Sequence, residues 1–415
     1  MDVADITSID MSRSSNGSGG QRKPRVLFLD QTGQLGGAEL FLADVAARYS
    51  KRGAVVLFQD GPFRGMLEKS GVSVSVVPLS KRDAAVGRAS GFLGLAKAGP
   101  QFLSVALQVA RKARGFDLIY ANTAKALMVG SLAAILSRRP LVYHLHDIIS
   151  AEHFSAFNRR LLVAFGNRAQ AVIANSEATR RCFIESGGRR GLTHVVYNGF
   201  DARLYAEASA DDRAHLRLEL GIGDAPCVLM VGRLSPWKGQ HLFLEALRTL
   251  PGVHGVIAGD ALFTEEDHKY AEQLMKVECD PELARRVHFL GFRGDLPRWY
   301  AMADLVVHAS TAPEPFGRVI VEGMLAGKPV IATRGGGASE ILSDRNTGHL
   351  VTPNDAQEIA AAIRMVLAAP GSAAAMGERA RDHARRKFPK ESVLVAMDGI
   401  IESLVPAPRK GWWSM

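Results

Sequence analysis

At 415 residues, with 47% apolar and 22% charged side chains, the chain is long enough for two ordinary cores and has a globular composition, which excludes a disordered or fibrous protein. Its three cysteines (Cys182, Cys227, Cys279) lie far apart without a CxxC pair, so no disulfide framework or structural zinc site is suggested, and a reducing, cytoplasmic compartment fits. The charge of +9 is uneven: residues 1–200 carry 26 Lys and Arg against 14 Asp and Glu, and the remainder 25 against 28. A basic half attracts anionic phospholipid, a polyprenyl diphosphate or nucleic acid, or serves solubility alone.

In chain order, residues 1–24 are rich in Ser and Gly without an apolar period and read as a disordered leader; they have no apolar h-region. Short apolar runs follow at Arg25–Asp30, Ala54–Gln59, Ser73–Leu79, Asp117–Asn122, Pro140–Asp147, Gln170–Ser176 and Thr193–Asn198, with helical patterns such as Gly37–Arg52 and Lys125–Arg138 between them. Strands apolar on both faces that alternate with helices predict a parallel sheet covered on both sides. The stretch Phe92–Ala110, followed by Arg111, Lys112 and Arg114, is broken by Lys97, Gly99 and Pro100. It is too interrupted to span a bilayer and suits either a core helix or an amphipathic helix on anionic lipid. Trp412 and Trp413 beside Arg409 and Lys410 give a second membrane hint.

A polar stretch at Asn198–Asp212 interrupts the alternation. A second series begins at Cys227–Arg233 and continues through His254–Asp260, Val287–Gly291, Leu305–Ser310, Pro329–Thr333 and Gly348–Thr352, with closing helices at Ser372–Lys387 and Lys390–Leu404. The expected organisation is a leader (1–24), an acceptor-side Rossmann-like domain (25–200), a donor domain (201–388), and a C-terminal helix and tail (389–415) packing back on the first domain. Two such domains facing each other across a cleft bind ligands at the carboxyl edges of their sheets.

Candidate chemistry sits in the loops after the strands. Gly36 and Gly37 open a helix after the first strand, where glycines either admit a ligand to the helix N-terminus or merely bend the chain. His144 and His146 share a face at the end of a strand, and His146 is the better candidate to meet a ligand. Arg233 at a strand end and Lys238 five residues on suit a diphosphate that gains charge as it leaves. Glu314 and Glu322 stand eight residues apart, the first beside the Phe316 and Gly317 amides and the second inside a helix, where it can accept both hydroxyls of a ribose. Gly335–Gly337 repeats the grammar of strand, glycine loop and helix. No Asp-x-Asp pair occurs, so side-chain cations are expected in place of a metal ion.

With Gly36-Gly37-Ala38-Glu39, His146-Asp147, Asn198-Gly199-Phe200-Asp201, Arg233 to Lys238, Glu314 to Glu322 and Gly336 to Glu340 in this order, the chain resembles the family 4 retaining glycosyltransferases over nearly its whole length. The resemblance implies an α/β GT-B fold and a hexosyltransferase taking its sugar from a UDP- or GDP-linked donor, with no metal or other cofactor. It implies that Arg233 and Lys238 bind the diphosphate, Glu322 the ribose, Glu314 the sugar region, and the amides around Phe316, Gly317, Gly36 and Gly37 the sugar hydroxyls and phosphate. His146 and Glu39 fall on the acceptor side, and His146, Glu314, Arg233 and Lys238 are the catalytic candidates. The expected acceptor is a lipid-linked glycan in envelope or exopolysaccharide assembly, with peripheral contact to anionic membrane on the cytoplasmic face and no nucleic-acid partner. A nucleotide-sugar epimerase of the same fold and a non-enzymatic sugar-nucleotide-binding protein remain open as alternatives.

Overall fold

The computed structural model describes residues 23–79, 92–152, 154–206, 210–262 and 264–405. The expected leader, apart from Lys23 and Pro24, and the Trp412–Trp413 pair lie outside the described residues. The chain divides into two compact units: residues up to Gly199 together with those from Glu391 onward, and Phe200–Lys390.

The first unit holds seven strands, β1 (Val26–Asp30), β2 (Ala54–Leu57), β3 (Ser73–Val76), β4 (Leu118–Ala121), β5 (Leu141–Leu145), β6 (Ala171–Ala174) and β7 (Thr193–Val195), in the order β3-β2-β1-β4-β5-β6-β7. Every pairing is parallel. Strands β1, β4, β5 and β6 are buried at every position, as a sheet with helices on both faces requires. On one face Leu27, Leu29 and Ile119 pack with Phe102, Val105 and Val109 of helix Phe92–Ala113 and with helix Ala124–Ser137. On the other, Val26, Phe28 and Tyr120 pack with Phe41, Leu42 and Val45 of helix Gly37–Ala47. Val393, Leu394, Met397, Ile400 and Ile401 of the C-terminal helix Lys390–Ser403 complete that core. Arg48 ties the same helix down through Asp398 at 2.7 Å.

The second unit has six strands, β8 (Cys227–Val231), β9 (His254–Ala258), β10 (Val287–Phe289), β11 (Leu305–His308), β12 (Val330–Thr333) and β13 (His349–Val351), in the order β10-β9-β8-β11-β12-β13 and again all parallel. In each sheet the order reverses once, between β1 and β4 and between β8 and β11. Loops leaving the carboxyl ends of those strands splay apart and leave a crevice.

Observed strands are shorter than the apolar runs by one to three residues, because polar ends such as Asn122 and His146 fall beyond the ladder. Helix Gly37–Ala47 stops before the expected Arg52: the Arg48 and Tyr49 amides turn back three residues, to Val45 and Ala46, and tighten the end. Within Phe92–Ala113, Phe102, Val105, Ala106 and Val109 are buried while Leu103, Leu107, Arg111 and Lys112 are exposed, so this core helix is also amphipathic.

Candidate active site

In the second unit the site is built at the reversal, from the loops after β8, β11 and β12. Lys238 ends a single 3-10 turn, Pro236–Lys238, closed by Gly239 at φ 76°, where a Cβ would stand 2.0 Å from the Ala309 carbonyl oxygen. Only glycine allows this approach of two loops. They are joined by the Thr311 amide, which donates to the Trp237 carbonyl at 2.8 Å. Lys238 Nζ thereby reaches Glu314 Oε2 at 2.7 Å. The same oxygen lies 3.2 Å from His308 Nε2 and accepts from Ser310 Oγ at 3.0 Å. Burial pushes the Glu314 acid up, but the Lys238 charge, helped by His308, outweighs it and holds the carboxyl far below the usual carboxylate range. Trp237 lies against both cations, 4.1 Å from Lys238 Nζ and 6.0 Å from Arg233 Cζ to the ring centroid.

The Gly335–Gly337 loop serves Glu314 through the backbone. Gly336 bridges to Glu314 at φ 56°, with Glu314 O only 2.0 Å from where its Cβ would be, and the Gly337 amide donates to that carbonyl at 2.8 Å. Glu322 has its own partners. It lies in helix Arg318–Leu325, buried, accepting from Tyr300 Oη at 3.0 Å and facing Arg318 at 3.5 Å. Burial, with the Glu322 charge, keeps the Tyr300 phenol protonated by raising it well above its ordinary value. The two carboxylates thus share a unit but not a hydrogen-bond set. Gly317 caps the helix at φ 102°, while the Phe316 ring is buried 6.3 Å from Phe200 and 5.6 Å from Phe388, leaving its backbone as the part able to meet a ligand.

In the first unit, Gly36 caps helix Gly37–Ala47 and Glu39 lies in its first turn, buried. The Gly36 and Glu39 amides act on the Glu39 carboxyl to favour its charged form, but burial outweighs them. Burial first, then the charges of Asp30 and Asp147, push Glu39 up to about 8, and burial raises Asp30 to about 6. His146 stands just beyond β5, half-buried, with Nε2 3.0 Å from Asn122 Oδ1. His144 shares its face, ring centroids 3.8 Å apart, but is fully buried and bonded through Nδ1 to Tyr120 Oη at 2.6 Å. Burial drives its pKa well below the ordinary value.

Four residues of these sites escape sequence reasoning: His308, Ser310, Trp237 and Asn122. Their signal is position alone, each lying at the carboxyl end of a strand beside the reversal or in the loop that leaves it. Among the described residues no group of three or more His, Cys, Asp or Glu is placed to hold a metal ion. A cation locked to a carboxylate, with an aromatic face beside it, can compensate charge that develops on a departing phosphate.

Comparison with known proteins agrees with this architecture. The Glycosyltransferase Family 4 description matches residues 35–204, and Glycosyl transferases group 1 matches residues 212–383. The GDP-mannose-dependent alpha-(1-6)-phosphatidylinositol monomannoside mannosyltransferase of Mycolicibacterium smegmatis is 32% identical over 272 residues, 63% of this chain and 70% of that one. The lipopolysaccharide core glycosyltransferase LpsE of Rhizobium meliloti is 32% identical over 199 residues, 48% of this chain and 54% of LpsE. Among solved structures, Anabaena HepE in complex with UDP-glucose is 44% identical, with TM-score 0.84, over 92% of this chain and 100% of that one. With one family description on each unit and both sheets in place, the chain belongs to the family 4 glycosyltransferases of the GT-B fold.

Proposed function

We propose that the chain moves a sugar from a nucleotide diphosphate sugar to an acceptor hydroxyl with retention of anomeric configuration and without a metal ion. The observation that carries this reading is the Lys238–Glu314 pair at 2.7 Å, set beside Trp237 and Arg233 at the reversal of the second sheet. Arg233 and Lys238 stabilise the departing diphosphate, which gains charge as the glycosidic bond breaks. Glu314 Oε2, close to three potential donors, is a weak nucleophile, which favours transfer without a covalent sugar–enzyme bond; the departing phosphate then takes the acceptor proton on the same face.

UDP-glucose is the first donor to try, because HepE was crystallised with it, and GDP-mannose the second, from the mycobacterial relative. Relatives that act on a phosphatidylinositol mannoside and on lipopolysaccharide core support a lipid-linked acceptor and an envelope or exopolysaccharide product. His146 and Glu39 belong to the acceptor side in this reading. The enzyme works on the cytoplasmic face, resting on anionic membrane through its basic half; no single described helix is long and apolar enough to cross a bilayer.

Melting of the purified protein against UDP, UDP-glucose, GDP and GDP-mannose tests the donor site, with the Arg233→Ala/Lys238→Ala double variant alongside. Ligand at about a hundred times its Kd adds roughly 2.7 kcal/mol to the native state. One nucleotide must raise the melting temperature of the parent and not of the variant; no rise with any of the four overturns the reading. The anomeric proton coupling of the first product then decides retention against inversion.

A further inference from the structure

We propose that Asn122 is a positioning residue that fixes the tautomer of His146, holding the ring with Nε2 protonated and Nδ1 as its lone-pair nitrogen. This rests on the reading that places His146 at the reacting sugar or its acceptor. Asn122 and His146 are the first residues beyond the adjacent parallel strands β4 and β5; with Ala121 paired to Tyr143, Asn122 stands level with His144, and His146, two residues on and of the same parity, is reached diagonally at 3.0 Å.

The amide can be oriented from its partners alone. Asn122 Nδ2 lies 2.7 Å from Asp30 Oδ2 and 3.3 Å from the Ala38 carbonyl oxygen. A carbonyl only accepts, so this end of the side chain is the NH2 group and the other end is its oxygen. That oxygen meets His146 Nε2 at 3.0 Å, and since it too only accepts, Nε2 carries the hydrogen. A neutral imidazole has one N–H, so Nδ1 holds the lone pair. Asp30 is fully buried and accepts from the Thr32 amide at 3.0 Å, which anchors the far end. Protonating Asp30 does not release the amide, because Ala38 still reads its orientation. The buried His144 ring packs against His146, centroids 3.8 Å apart and planes inclined at 47°, and limits its movement. A nitrogen fixed as an acceptor takes a hydrogen bond from a sugar or acceptor hydroxyl, whereas the other tautomer would offer that hydroxyl a second donor.

The test is nitrogen NMR of the full-length chain labelled with 15N at histidine, at about pH 8 where neutral rings dominate. The His146 signals are identified by their loss in His146→Gln. The parent should show the Nε2–H tautomer, and Asn122→Ala a mixture of both. Asn122→Ala should also lower kcat at least about tenfold, as a mis-set catalytic tautomer does, with KM for the donor within about twofold and the nucleotide-induced rise in melting temperature retained. An Nδ1–H tautomer in the parent, or an unchanged ring in Asn122→Ala, overturns the proposal. The parent's tautomer is read without turnover, so a chain inactive on every donor refutes the proposed function and leaves this question decided separately.

Discussion

Lys238 and Glu314 are 18% and 12% exposed, so removing one partner strands the other where water cannot compensate fully. Lys238→Ala should cost about 3 kcal/mol in urea unfolding of the second unit, whereas Lys238→Arg should keep most of that stability while shifting the phosphate contact; equal stability of Lys238→Ala and the parent would show the pair to be energetically idle. Glu39 makes a second prediction, in pH. With its carboxyl raised to about 8 from an ordinary 4.5, the folded state keeps a proton that the unfolded chain has released, so its stabilisation is complete below 4.5 and lost as pH rises through 8. His144, lowered by burial, works the other way below its ordinary 6.5. Between pH 6.5 and 8 the first unit should therefore melt at falling temperature, and Glu39→Gln should flatten that slope; an undiminished slope in the variant would assign it to other groups. Lys238, Glu314 and His146 were legible as candidates, Lys238 because a cation five residues after the strand-end Arg233 suits a diphosphate, Glu314 by its place beside the Phe316 and Gly317 amides, and His146 by its place at a strand end. His308, Ser310 and Asn122 were not, since a buried histidine, a serine and an asparagine at strand ends carry meaning only once neighbouring strands are paired, and Asn122 finds Asp30 across 92 residues of sequence.

Elements were easier to read than their ends. Every expected strand is present because a run such as Cys227–Val231, buried at all five positions, can only lie inside a two-faced sheet. Ends depend on where the ladder stops, which the apolar pattern does not mark. The glycine loops divided in the same way. Gly335–Gly337 reads from sequence as either a ligand cradle or a turn, and the structure shows what compels glycine there: the Gly336 backbone lies at φ 56° against the Glu314 carbonyl. Gly336→Ala must move one of two backbones, since the nearest atom to the new Cβ, at 2.0 Å, is not a flexible side chain. It should lower the melting temperature and, by displacing Glu314 from Lys238, abolish stabilisation by nucleotide. A variant that melts lower but still responds to nucleotide would separate the loop's structural part from the binding site.

At the scale of the molecule, basic charge and exposed apolar surface coincide in the first unit. Helix Phe92–Ala113 exposes Leu103 (50%) and Leu107 (39%) and ends in Arg111 and Lys112, and helix Ala124–Ser137 exposes Ile135 (53%) and Leu136 (45%) just before Arg138 and Arg139. Arg139 donates to the Arg114 carbonyl at 2.9 Å, so the two helix ends, with their cations, lie together on one surface. Each cation near an anionic leaflet contributes about 1 kcal/mol, enough in sum for reversible attachment and too little for insertion. Residues 201–415, with 25 basic against 28 acidic side chains, offer no such attraction. The expected outcome is binding to phosphatidylglycerol vesicles at low salt, none to phosphatidylcholine vesicles, and release as salt shortens the screening length to about 3 Å near 1 M. Arg111→Glu/Lys112→Glu should lose the vesicles while keeping the melting response to nucleotide, because these side chains belong to the first unit, and Lys238 and Glu314 to the second. If the parent ignores anionic vesicles at low salt, the basic half serves solubility, and the lipid-linked acceptor loses its physical support while the donor chemistry stands untouched.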